Sequence, residues 1–209
     1  MLTPKVHNFV SYFGSLVVYV IFKEPGAPIN FATIMWIGHF FRRSLETLFL
    51  FNFSQNIVPI ADSIQEFLYY FSFSWWICIS VDSHSHGIGL QQLFGMFLWL
   101  ICEYGNYSCH KTLALNSKKT GPKKRINTGS YLFNKSSCPH YFFEISSWFA
   151  FNLVTNFSLA GTVFMSIGAT IMTCWAIQKH ERYATPAPQK TPLFPFVDIR
   201  PPRFLVEAM

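Results

Sequence analysis

The chain has 209 residues, of which 51% are hydrophobic and only 12% are charged, and its formal net charge is +6 at pH 7. Soluble domains average about 25% charged residues. A globular core of this length would also have to keep 24 Phe, 9 Tyr and 6 Trp away from water. This composition excludes an ordinary soluble domain and predicts an all-α membrane protein that crosses the bilayer several times.

The apolar residues come in blocks, and these blocks predict about six transmembrane helices packed as a bundle. Several blocks fall short of the roughly 20 apolar residues that a perpendicular span requires, which is typical of helices that bury polar faces against one another. The predicted spans are Phe9–Phe22, Ile29–Phe51, Phe67–Val81, Ile88–Tyr104, Pro139–Phe157 and Leu159–Ile177.

The second block carries charge inside an otherwise apolar segment. His39, Arg42, Arg43 and Glu46 have the spacing i, i+3, i+4 and i+7, so they share one face of a helix. Charged residues within a membrane are costly and usually face a protein interior or a water-filled cavity, where they are functional. The alternative is that the arginines extend to lipid headgroups. The neighbouring histidine and glutamate favour a functional face, because lipid anchoring needs neither.

A basic interval without acidic residues separates Glu103 from Glu144. The positive-inside rule places this interval in the cytosol, and alternation of the spans then places both termini there too. The same cations would suit anionic lipid or the phosphates of a soluble ligand. Nucleic acid is not predicted as a partner, because no recognition module accompanies them. The basic residues are Lys111, Lys118, Lys119, Lys123, Lys124, Arg125 and Lys135.

The cysteines and histidines predict neither a disulfide framework nor a metal site. Five cysteines are an odd number, and they include no Cys-x-x-Cys pair, so buried thiols are expected. His84 and His86 form a His-x-His pair without the three or four ligands that a metal centre requires.

Two polar groups of residues mark the second half of the chain, near the predicted cytosolic surface. In the fifth span Tyr141, Glu144 and Trp148 share a helical face, and His140 lies within reach of Glu144. A second group of polar and aromatic residues shares one helical face at the end of the sixth span. Each group can be a hydrogen-bonded packing contact, but their joint position favours a shared anion-binding cavity. The residues of the second face are Trp175, Lys179, Arg182 and Tyr183.

Four segments in this order and spacing resemble the very-long-chain trans-2-enoyl-CoA reductases of the steroid 5α-reductase family, which are endoplasmic-reticulum membrane enzymes. The resemblance extends from about Asn8 to Phe196, so residues 1–196 are identified as a membrane domain of this type and residues 197–209 as a C-terminal tail. The four segments begin at His39-Phe-Phe-Arg-Arg, Gly105-Asn-Tyr-Ser-Cys-His, Ser137-Cys-Pro-His-Tyr and Trp175-Ala-Ile-Gln-Lys.

The resemblance implies that NADPH is the cofactor and that its hydride passes to the β-carbon of an enoyl-CoA during fatty-acid elongation. It implies an acyl-CoA substrate, a lipid membrane and possible association with other elongation enzymes. No dinucleotide-binding glycine motif is present, so the cofactor would be held without a Rossmann fold. The catalytic positions implied are His39, Arg42, Arg43 and Tyr183, and the cofactor-binding positions are Asn106, Tyr141, Glu144 and His180. The lysines between 111 and 125 would attract the cofactor's phosphates.

The chain departs from this family at two positions that the family associates with polarising the substrate carbonyl. Ser11 stands where the family tends to have Glu, and Phe40 stands where it tends to have Tyr. Neither side chain can act as an acid, so the departures predict an impaired reductase or a non-catalytic relative. A steroid or polyprenol double-bond reductase is a further alternative. A small transporter is disfavoured, because the chain shows no internal repeat.

Overall fold

The computed structural model describes residues 1–53, 56–82, 88–120, 130–183 and 191–193, except for the side chains of residues 82, 118–120, 182 and 183. The described residues are helical, with only isolated bridges and no named strand, so the predicted all-α fold is confirmed. A π-helical segment, Glu46–Leu50, continues the second helix. The helices are α1 Pro4–Phe22, α2 Phe31–Leu45, α3 Ile60–Asp82, α4 Leu90–Thr120, α5 Tyr131–Lys135, α6 Pro139–Val154 and α7 Leu159–Tyr183.

Each of the six long helices overlaps one of the six predicted spans, and several expose apolar surface. Pro4–Phe22 and Leu159–Glu181 are long and apolar enough to cross a membrane. Large apolar side chains are exposed on several helices, among them Phe49 at 80% and Leu90 at 86%. Exposed apolar surface of this kind is typical of a protein that faces lipid. The fold is consistent with the predicted helical membrane bundle.

The described chain divides into two compact units. Unit 1 comprises residues 1–99 and 150–164, and unit 2 comprises residues 100–149 and 165–209. Helices α1, α2 and α3 belong wholly to unit 1, whereas α4, α6 and α7 contribute residues to both.

In unit 1, α1 and α3 run side by side in the same direction. An antiparallel bridge ties Leu2 to Val58 just before the two helices begin. Near the first turns, His7 Nδ1 lies 3.0 Å from Ser63 Oγ. Close to the other ends, Cys78 Sγ donates a hydrogen bond to the Tyr19 carbonyl. The contacts advance together along both helices, which is the arrangement expected when one span separates them in the chain.

Helix α2 runs antiparallel to α1. The Asn30 side chain caps its first turn by accepting a hydrogen bond from the Thr33 amide at 2.9 Å. Tyr19 Oη lies 3.1 Å from Thr33 Oγ1 at one end of the pair, and Tyr12 meets Arg43 at the other. The fully buried rings of Trp36, Phe40 and Phe151 belong to the core of this unit.

Several helix boundaries differ from the predicted spans, and the start of α3 and the end of α4 differ most. Helix α3 begins at Ile60, well before the predicted Phe67, because the polar residues that precede the apolar run are bonded to α1. Helix α4 continues to Thr120, far beyond the predicted Tyr104. The helix runs through the Gly105-Asn106 pair. The glycine is explained by close packing, since an added Cβ at Gly105 would lie 2.5 Å from the Phe143 ring.

In unit 2, the residues just before α6 contact residues 191–193. Ser136 pairs with Thr191 in a parallel bridge, and Ser136 Oγ donates to the Leu193 carbonyl at 2.9 Å. Cys138 packs with Leu193 in a small apolar cluster. Burial raises the pKa of the Cys138 thiol to about 11, against the opposing effect of the nearby Lys179. All five cysteines are buried free thiols, as predicted.

Candidate functional site

Both arginines of the predicted charged face bind the same carboxylate. Glu46 is only 4% exposed. Arg42 Nη1 donates to Glu46 Oε1 across one helical turn, and Arg43 Nη1 donates to Glu46 Oε2 at 2.7 Å. The helix provides this geometry, because residues three and four apart lie on one side. Two guanidinium groups therefore share the carboxylate of Glu46.

Arg43 also contacts helix α1 and the residue that follows the π-helical segment. Its Nη2 donates to Tyr12 Oη at 3.0 Å, and its guanidinium carbon lies 4.9 Å from the centre of the Tyr12 ring. The Phe51 ring lies 5.8 Å away. A cation held against aromatic faces is stabilised where water is scarce. The π-helical turn follows directly at Glu46, and such turns are frequent at functional sites.

The remaining predicted residue of this face, His39, is buried at 2% exposure. Its ring meets the Phe40 ring edge-on, with the centroids 5.1 Å apart. Phe40 is fully buried and contacts Tyr70 of α3 in the same edge-on manner. The position at which the resembling family tends to have a phenol therefore lies inside an aromatic cluster.

A second ionisable cluster in unit 1 was not predicted. His7 Nε2 lies 2.9 Å from Glu66 Oε2, and Ser11 Oγ donates to Glu66 Oε1 at 3.2 Å. The two partners of Glu66 are on α1, whereas Glu66 is on α3. The only signal in the sequence was an ionisable residue immediately before the apolar run at Phe67, and that signal does not identify its partners.

In unit 2, the predicted residues Tyr141 and Lys179 lie in contact. Lys179 Nζ donates to Tyr141 Oη and lies 4.6 Å from the centre of its ring. Trp175, one turn before Lys179, has its ring 6.3 Å from that of Tyr141. A lysine against one aromatic ring, with a second ring beside the first, can bind a phosphate while the rings stack on a planar group.

Asn106 is the most deeply buried of the predicted cofactor residues. It is 1% exposed, and its Nδ2 donates to the His140 carbonyl at 2.8 Å. Its Oδ1 is buried and has no hydrogen-bond partner among the described residues. The rings of His110 and His140 lie 5.7 Å apart beside it. A buried acceptor without a partner is costly, so Asn106 suits an amide or hydroxyl of a bound ligand.

The other predicted residues are placed as follows. His180 Nδ1 lies 2.8 Å from Ser137 Oγ, which joins α7 to the residues before α6. Glu144 is partly buried on α6, where its carbonyl accepts a hydrogen bond from Ser147. Tyr183 is the last residue of α7, and its side chain lies outside the described residues, as do the side chains of Lys118–Arg125 and the pair His84 and His86.

The predicted residues of unit 2 include a cation, aromatic rings and a buried acceptor. Lys179 carries positive charge, the Tyr141 and Trp175 rings are flat surfaces, and the Asn106 Oδ1 can accept a hydrogen bond from an amide or a hydroxyl. No group of three or more potential metal ligands occurs in the part of the chain that the structure describes.

A cavity of about 610 Å³ lies in unit 1 at the start of α2. Its described lining comes from the chain around Ile29 and Phe31, from the end of α3 near Val81 and from the turn around Asn156. None of these described residues is charged. A cavity of this character suits an uncharged, largely apolar group.

Comparison with known proteins gives one family and several similar enzymes. Residues 56–193 match the family described as 3-oxo-5-alpha-steroid 4-dehydrogenase. The chain is 30% identical over 200 residues to the very-long-chain enoyl-CoA reductase of Dictyostelium discoideum, covering 90% of this chain and 64% of that protein. It is also 30% identical over 186 residues to a probable very-long-chain enoyl-CoA reductase of Caenorhabditis elegans, covering 81% of this chain and 59% of that protein.

A human protein named trans-2,3-enoyl-CoA reductase-like is 28% identical over 196 residues, covering 82% of this chain and 53% of that protein. The chain thus spans between 53% and 64% of the length of these curated relatives. The similarities confirm the resemblance that the four sequence segments indicated. Since the family match covers most of its length, the chain belongs to the 3-oxo-5-alpha-steroid 4-dehydrogenase family.

Proposed function

We propose that this protein reduces the trans-2 double bond of a long-chain or very-long-chain enoyl-CoA with NADPH, in the endoplasmic-reticulum membrane and in the service of fatty-acid elongation. Both termini face the cytosol, where soluble acyl-CoA and other elongation enzymes are available. The relatives named enoyl-CoA reductase support this choice over steroid or polyprenol reduction.

The observation that carries the proposal is the contact between Lys179 and Tyr141, together with the unpartnered Oδ1 of Asn106. These groups come from three different helices and suit a phosphorylated, amide-bearing cofactor. NADPH, when bound, supplies the hydride. Lys179 and His180 would hold its phosphates, Tyr141 and Tyr183 would line its cavity with Glu144, and Asn106 would fix an amide or hydroxyl.

The residues of unit 1 would act on the acyl thioester. Negative charge develops on the thioester oxygen when the β-carbon is reduced, so the transition state is stabilised by preorganised donors and positive charge. Arg42 and Arg43 provide that charge beside His39, and Glu46 keeps both guanidinium groups in place. The cavity near Ile29, whose described lining is uncharged, would take an apolar part of the substrate.

One observation favours a second candidate, a non-catalytic relative that keeps the fold. Phe40 is fully buried and Ser11 is buried too, so neither position offers an acid to the substrate. A protein of this kind would bind NADPH without oxidising it when enoyl-CoA is added.

The proposal is tested by following NADPH oxidation by the purified protein with a trans-2-hexadecenoyl-CoA substrate. Lys179→Gln should raise the KM for NADPH by about tenfold, the equivalent of roughly 1.4 kcal/mol of lost interaction. Lys23→Gln removes a cation from the turn after α1 and serves as the matched control. No oxidation above background would exclude the reductase. Equal KM values for the two variants would remove Lys179 from the cofactor site.

A further inference from the structure

Glu66 is an ionisable residue that neither the resemblance nor the predicted spans assign to function. Its carboxyl group is held at both oxygens by α1. Oε2 lies 2.9 Å from His7 Nε2, and Oε1 accepts a hydrogen bond from Ser11 Oγ at 3.2 Å. His7 is in turn fixed by Ser63, whose Oγ lies 3.0 Å from its Nδ1. The Glu66 side chain is 33% exposed, so it remains accessible while these bonds orient it.

The Glu66 carboxyl group lies next to Ser11, the position at which the family resemblance implies a carboxylic acid. Ser11 directly precedes Tyr12 on α1. Its hydroxyl lies 3.0 Å from the His7 carbonyl oxygen and 3.2 Å from Glu66 Oε1, so the two acceptors share one donor. One turn further along α3, Tyr70 contacts both Tyr12 and Phe40 with ring centroids 5.8 and 5.7 Å apart. The face of α3 that carries Glu66 and Tyr70 is therefore turned toward both departing positions.

The chemistry of the reduction requires a proton donor. A hydride adds to the β-carbon, the electrons of the double bond move toward the carbonyl oxygen, and the resulting enolate takes up a proton at its α-carbon. A carboxyl group bonded to an imidazole can donate a hydrogen bond or a proton and recover it from its partner. Ser11 alone can supply neither a strong acid nor a proton reservoir.

We propose that Glu66 supplies, from α3, the carboxyl group that hydrogen-bonds the substrate carbonyl during reduction, in place of an acid at position 11. His7 and Ser63 orient Glu66, and the Ser11 hydroxyl leaves room for it. The proposal rests on the reductase function proposed above. If Glu66 on α3 supplies the acid, the lack of an acid at position 11 on α1 no longer favours a non-catalytic relative.

The test moves the carboxyl group from one helix to the other. Glu66→Gln keeps the size of the side chain and removes the acid, and kcat should fall by roughly 10²-fold or more with little change in KM. The exchange variant Ser11→Glu/Glu66→Ser keeps both groups and their total volume. Its kcat should exceed that of Glu66→Gln at least tenfold, a cautious figure from the same ranges. Asp62→Asn removes an exposed carboxylate in the first turn of α3 and should leave kcat unchanged.

Each outcome has one interpretation, provided that each variant elutes as a single folded species in detergent. A Glu66→Gln variant with the native kcat would overturn the proposal while leaving the reductase function intact. A loss in Glu66→Gln that the exchange variant does not recover would assign Glu66 a purely structural role and would also overturn it. Absence of turnover in the native protein would remove the proposed function and this inference together.

Discussion

At the scale of single residues, the most consequential group is the buried carboxylate of Glu46. It accepts hydrogen bonds from Arg42 and Arg43 within one stretch of helix, and it is the acid that keeps two guanidinium groups oriented. The spacing of these residues made their shared face predictable from the sequence, because contacts at i, i+3 and i+4 follow from helical geometry alone.

Glu46→Gln should therefore destabilise the protein strongly. The amide cannot neutralise either arginine, and leaving buried charge without its partner typically costs about 3–5 kcal/mol. The midpoint of thermal unfolding in detergent should fall well below that of the native protein. Glu181→Gln, which removes an exposed carboxylate near the end of α7, is the control and should leave the midpoint unchanged. Similar midpoints for both variants would contradict the description of Glu46 as the centre of the cluster.

The hydrogen-bond partners of Glu66 could not be predicted from the sequence around it. Its partners His7 and Ser11 are far from it in the chain and lie on a different helix. No local periodicity specifies which turn of α1 faces which turn of α3. That register depends on the Leu2–Val58 bridge and on the packing of Gly14, where an added Cβ would lie 2.5 Å from the Phe71 ring.

At the scale of elements, apolar blocks predicted the number of long helices and misplaced several of their ends. A hydropathy block ends where polar residues begin, whereas a helix continues as long as its polar side chains find partners. Helix α4 illustrates this, since its polar second half includes the buried residues Asn106 and His110. The short α5 carries no apolar block of spanning length and was not predicted.

Helix α4 also offers a direct test of the predicted orientation. It has 31 residues, more than the roughly 20 that cross a bilayer, with exposed Leu90 at one end and exposed Lys111 toward the other. The native cysteines are all buried, so an introduced cysteine can be labelled selectively. In sealed microsomes a membrane-impermeant maleimide should label Lys111→Cys, and it should label Leu90→Cys only after detergent is added.

The reverse labelling pattern would place the basic interval on the lumenal side. It would then contradict the positive-inside argument and the cytosolic supply of NADPH that depends on it. Labelling of both positions from outside would show that α4 does not cross the membrane.

At the scale of the whole molecule, family membership follows from similarity along most of the chain, and the four sequence segments were sufficient to indicate it. The candidate residues fall into two sets. His39, Arg42 and Arg43 belong to unit 1, whereas Asn106, Tyr141, Glu144 and His180 belong to unit 2. Sequence motifs indicated both sets as candidates, because each motif is local to one or two helices. They could not indicate the acid that we propose on α3, because its contacts depend on packing between helices.

The central claim is that this chain transfers a hydride to an enoyl thioester, and isotope transfer tests it most directly. The purified protein would be incubated with trans-2-hexadecenoyl-CoA and NADPH deuterated at the transferable position of the nicotinamide, and the product would be examined by mass spectrometry. The account predicts saturated acyl-CoA with one deuterium at the β-carbon, formed in amounts equal to the NADPH consumed. Unreduced enoyl-CoA, or NADPH consumption without deuterium in the acyl chain, would contradict it.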